Sequence, residues 1–109
     1  MASSESLTQR TRDALAQKRG ITEKRMFGGV AFFLNDHIVV GIWKQSLIVR
    51  LGETAADAAL RQPYVGPFDI TGRPMKGWVL IGPEALETDR DLVGWIDKAL
   101  HFVRTLPPK

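Results

Sequence analysis

The chain has 109 residues, with 15 Lys and Arg against 12 Asp and Glu, two His and no Cys. That length suits one domain of ordinary size and leaves no room for two. A composition of 44% hydrophobic and 25% charged residues is that of a globular chain, not a disordered one. The lack of Cys excludes a disulfide scaffold, a thiolate zinc site, an iron–sulfur cluster and a Cys nucleophile.

The net charge of +3 is concentrated at one end. Residues 1–27 carry Arg10, Arg12, Lys18, Arg19, Lys24 and Arg25 against Glu5, Asp13 and Glu23, and the remainder is neutral. The same segment is polar and has no apolar stretch of the secretory kind. The longest uncharged apolar runs, 27–34 and 38–43, fall far short of the roughly 20 residues that span a bilayer. No membrane association is expected, and the cytoplasm is the expected location.

In chain order, Leu7, Thr11, Ala14, Leu15 and Lys18 space out a first helix, stopped by Gly20. Residues 30–34 are rich in β-branched and aromatic side chains and read as a strand. Asn35-Asp36 is a turn, 37–43 a second strand, Lys44-Gln45 a second turn and 46–51 a third strand. Two-residue connections make the three an antiparallel meander. Residues 53–61 form a short alanine-rich helix. Strands at 68–70 and 75–81 flank a turn at Thr71-Gly72-Arg73-Pro74. Thr88 or Asp89 then caps a final helix whose stripe is Leu92, Val93, Ile96, Ala99, Leu100 and Val103. The order predicts an α+β domain: an antiparallel sheet of about five strands flanked by N- and C-terminal helices.

The strands do not alternate cleanly between apolar and polar. Strict alternation puts Ile38, Val40 and Ile42 on one face of the second strand and Val39, Gly41 and Trp43 on the other. The helices can cover only one face. The second face would then expose Val39, Trp43 and Ile48, with Trp78 or Leu80, as a candidate interface. A protein partner is one expected occupant, and a second copy of the chain, in a homodimer, is the simplest case.

Few constellations carry chemistry. His37 and His101 stand apart with no metal-ligand spacing. Gly28-Gly29 has no following helix, so it is neither a phosphate loop nor a dinucleotide fingerprint. No nucleophile elbow occurs, and the acids Glu84, Glu87, Asp89 and Asp91 suit a helix N-terminus. No catalytic residue, cofactor or metal is expected, and the protein is expected not to be an enzyme. Basic residues do lie beside aromatic or glycine-rich segments, where charge and stacking favour anions. Arg25, Phe27, Gly28, Gly29, Arg50, Arg73, Lys76 and Trp78 are therefore the candidate binding residues.

Two blocks carry a resemblance. The run from Arg25-Met26-Phe27-Gly28-Gly29 through Asn35 resembles the opening signature of the TfoX/Sxy N-terminal domain family. Pro67-Phe68-Asp69-Ile70-Thr71-Gly72-Arg73-Pro74-Met75-Lys76-Gly77-Trp78-Val79 resembles its second block, and the helix over 95–106 with its Pro-Pro-Lys ending is similar as well. The match runs across residues 1–109 as one domain of this type. It implies an α+β fold similar to secretion-chaperone-like domains. Competence-regulating members add a C-terminal domain, which this sequence is expected to lack. Three functional readings stand open: a regulatory protein-binding domain, a nucleic-acid-associated regulator using the basic N-terminal segment with Arg73 and Lys76, and a binder of small anions through Arg25, Arg73 and Lys76.

Overall fold

The computed structural model describes residues 4–26, 29–69 and 75–107. Phe27, Gly28 and Arg73, three of the expected binding residues, lie outside them, as does the turn at 71–74.

Helix α1 (Ser4–Leu15) leads into β1 (Ile21–Met26), β2 (Gly29–Leu34), β3 (His37–Trp43) and β4 (Ser46–Arg50). Helix α2 (Glu53–Ala59), β5 (Val65–Pro67) and β6 (Trp78–Ile81) follow, then a short 3-10 turn and α3 (Asp89–Val103). The strands form one antiparallel sheet in the order β1-β2-β3-β4-β6-β5. It is the expected α+β architecture with six strands instead of about five. Two strands, β1 and β5, fall outside the expected ranges, and β1 is the one with no expected counterpart. Its Thr22-Glu23-Lys24-Arg25 run lacks the apolar signal of a strand because it lies at a sheet edge, where charge also blocks pairing with other chains.

The hairpins follow from turn chemistry. Asn35 and Asp36 both take positive φ, 50° and 69°. A tight hairpin needs that backbone, and these side chains tolerate it. The Thr88 hydroxyl accepts a hydrogen bond of 3.1 Å from the Asp91 amide and so caps α3, as expected. Asp89 and Asp91 sit in its first turn, where negative charge suits the helix dipole. The stripe of α3 differs from expectation at one point. Val93 is 38% exposed, whereas Trp95 is 7% exposed and joins the core. The strand expected at 68–70 does not form at its described positions: β5 ends at Pro67, and Phe68 and Asp69 are not in a strand.

All three helices pack on one face of the sheet. Leu7 and Leu15 of α1, Ala56 and Ala59 of α2, and Leu92, Ile96 and Leu100 of α3 share a cluster with Phe32, Val40, Ile42, Val49, Val79 and Ile81. Removing that apolar area from water is the main source of stability.

A bulge in β3 corrects the strict-alternation reading. Phe32 pairs with Val40 but Phe33 pairs with Ile38, which leaves Val39 as an extra residue. Val39 therefore joins Val40 and Ile42 in the helix-covered core and is 0% exposed. It is not on the second face and offers nothing to a partner.

Candidate functional site

Register fixes what the second face presents. Opposite the core residues stand Lys24 on β1, Phe33 on β2, Ile38 and Trp43 on β3, Ile48 and Arg50 on β4, and Trp78 and Leu80 on β6. Ile48 does lie there, as expected, but it is 0% exposed. It lies in register between Gly41 and Leu80, and with Ala31 and Gly41 also buried the middle of this face is closed to solvent, so Ile48 has no surface left for a partner. Ile38, Trp43, Trp78 and Leu80 are half-buried and form the accessible apolar part. Phe68, buried at 1% exposure, stacks against Trp78 with ring centroids 5.9 Å apart.

The charge of the strand residues on this face has one sign. None of the strand residues that point to it is acidic. Lys24 stands 5.1 Å from the Phe33 ring centroid, Lys44 stands 4.8 Å from that of Trp43, and the Arg50 guanidinium stands 5.3 Å from that of Trp78. Each contact is a cation–π pair, in which the ring holds the cation without neutralising it. Among the described residues none of these three cations has a carboxylate partner.

The basic N-terminal segment behaves differently. Arg10 donates to Asp89 Oδ1 at 3.0 Å and to the Leu86 carbonyl at 2.7 Å, which ties α1 to the start of α3. Arg12 donates to both carboxylate oxygens of Glu23 at 2.9 and 2.8 Å. The hydrogen bond from Arg12 and its charge hold the Glu23 carboxyl below its ordinary range. Two of the six basic residues in that segment are thus committed to the fold.

The expected binding residues separate into two places. Arg25 lies with Met26, Gly29, Trp43 and Lys44 along a cleft of about 990 Å³, which Glu5, Thr8, Gln9 and Arg12 of α1 border. Gly29 is required there by packing: a Cβ would run into the Ile42 carbonyl oxygen. Arg50, Lys76 and Trp78 belong to the β4–β6 end of the sheet. Four inter-strand steps of about 4.8 Å separate β1 from β6, roughly 19 Å across the sheet. Arg25 and Lys76 therefore do not line one anion pocket. Lys76 is exposed in the turn before β6.

Arg50 and Trp78 face each other in register across β4 and β6. Phe102 of α3, absent from the expected site, completes their surroundings, with its ring centroid 5.8 Å from the Arg50 guanidinium. It lies beside the helix stripe, and no local pattern ties it to a strand residue so distant in sequence. Gly52, at φ 84°, leaves room for that ring: a Cβ there would stand 2.6 Å from a Phe102 ring carbon. Just beyond, Leu51 and Gly52 amides both donate to the Gly77 carbonyl, at 2.8 and 3.1 Å, and lock the ends of β4 and β6 together.

Among the described residues no group of three or more His, Asp or Glu is placed to hold a metal ion. His37 Nε2 lies 2.7 Å from the Pro107 carbonyl oxygen, so the ring donates there and fastens the chain after α3 to the start of β3. No helix among the described residues is long and apolar enough to cross a membrane.

Comparison with known proteins gives one match. The family model of the TfoX N-terminal domain covers residues 13–103. No curated protein and no solved structure matches the chain.

Proposed function

The chain belongs to the TfoX N-terminal domain family, and we propose that it is a non-enzymatic regulatory domain whose second sheet face, away from the core cluster, binds an acidic protein surface. One observation carries this reading: the face combines half-buried Ile38, Trp43, Trp78 and Leu80 with Lys24, Lys44 and Arg50 and holds no acidic strand residue. Apolar area would supply affinity, and the single sign of charge would select the partner. A second copy fits less well. Stacking the face on itself would bring three unneutralised cations against their equivalents. A single-stranded nucleic acid also fits less well, because Phe33, Trp43 and Trp78 each have a cation on the ring where a base would stack.

The test is a titration with a peptide of alternating glutamate and leucine and, separately, with oligothymidylate, each followed by tryptophan fluorescence. The peptide should bind saturably and more tightly than the oligonucleotide. Leu80→Glu should weaken peptide binding at least about tenfold, a loss of about 1.4 kcal/mol, while unfolding stays cooperative. Tighter binding of oligothymidylate, or a dimer in sedimentation that Leu80→Glu dissolves, would overturn the reading.

A further inference from the structure

Two of the described arginines are half-buried, and only one of them meets a protein acceptor among the described residues. Arg10 meets the Asp89 carboxylate and the Leu86 carbonyl. Arg50 meets neither a carboxylate nor a carbonyl among the described residues. Its surroundings are aromatic: Trp78 at 5.3 Å and Phe102 at 5.8 Å, from two different elements. Glu53, the nearest acid in sequence, makes no ion pair with it. Burial pushes the guanidinium below its ordinary pKa range, and no charge or hydrogen bond opposes that shift. The rings cover part of the guanidinium, but its N–H donors stay open to water and so remain accessible to a ligand with acceptor oxygens. Rings that flank a guanidinium still leave its edge free. That edge suits a planar group with two acceptor oxygens, which can take two parallel N–H···O bonds.

We propose that Arg50, at the end of β4, is the specificity-determining residue of the second face, and that it takes a carboxylate in a two-pronged contact beside Trp78 and Phe102. The source of that carboxylate, an Asp or Glu of the partner, rests on the function proposed above; the carboxylate site itself does not. Trp and Arg are also the residues most often found at the energetic centre of protein interfaces. Gly52 takes part indirectly, since only a residue without Cβ leaves the Phe102 ring in place.

The test follows the Arg50 Nε–H resonance by NMR while acetate, inorganic phosphate or chloride is added at matched ionic strength. Acetate should move the resonance saturably, well beyond chloride. Arg50→Lys keeps the charge but loses the fork, and should weaken binding of the glutamate–leucine peptide about tenfold or more with the rest of the amide spectrum unchanged. Arg12→Lys, at an arginine already paired, should leave peptide affinity within about twofold. An equal response to acetate and chloride would overturn the proposal. So would a response to phosphate alone, which would reassign the site to a phosphoryl group, and so would full retention of peptide affinity in Arg50→Lys. If acetate binds at Arg50 but the peptide does not bind at all, the carboxylate site stands and the protein-partner reading falls.

Discussion

The two faces of this sheet are built from similar residues and come to different ends. On the covered face, Phe32, Val40, Ile42, Val49 and Val79 meet three helices and disappear from solvent. On the other, Ile38, Trp43, Trp78 and Leu80 lie outside the core cluster and keep part of their surface. Charge is treated in opposite ways as well. Arg10 and Arg12, both from α1, find carboxylates, whereas Lys24, Lys44 and Arg50 rest on aromatic rings. An ion pair consumes its cation, and a cation–π contact positions the cation while leaving its charge available. The contrast teaches that one face commits its charges to the fold and the other leaves them unpaired by carboxylates among the described residues.

Truncations on each face probe that division. Ile96→Ala, 1% exposed within the α3 stripe, should cost on the order of 2–5 kcal/mol in denaturant unfolding. Leu80→Ala, only half-buried on β6, should cost about 1 kcal/mol or less, yet it should weaken peptide binding. Equal losses of stability at the two sites would erase the distinction. The smallest effect concerns Glu23. Its carboxyl titrates below the ordinary value of 4.5 in the folded protein, so between the two values the unfolded chain binds more protons. The pair with Arg12 therefore adds stability above that range and loses it as pH falls through the lowered value. Acid unfolding of Arg12→Ala should show a shallower pH dependence there, and an unchanged profile would show that the pair adds nothing.

Local signals in the sequence foretell the local parts of this architecture. Asn35-Asp36 announces its hairpin, and Thr88 announces the start of α3. What escapes is set by distant contacts. β1 is a strand because β2 supplies its partner, and its own residues are those of a charged edge. Trp95 is core and Val93 is not, because the direction in which α3 crosses the sheet selects the buried stripe. Arg50 and Trp78 both stand out as residues, but their meeting depends on β4 pairing with β6, and Phe102 arrives from a third element. The candidate site was thus visible as a set of residue types and invisible as an arrangement.

The extra residue in β3 has a consequence for how this strand tolerates change in length. In a regular strand, losing one residue turns every later side chain to the opposite face. Val39 is the exception. The chain on either side of it is already offset by one, so deleting Val39 would restore simple alternation and leave Ile38 and Trp43 facing as they do now. The strand would lose one buried side chain and keep both of its surfaces. Deleting Gly41 instead would send Ile42 outward and Trp43 into the core. Within β3, then, Val39 is the position at which natural shortening could occur without exchanging the face that meets the helices for the face that turns away from them.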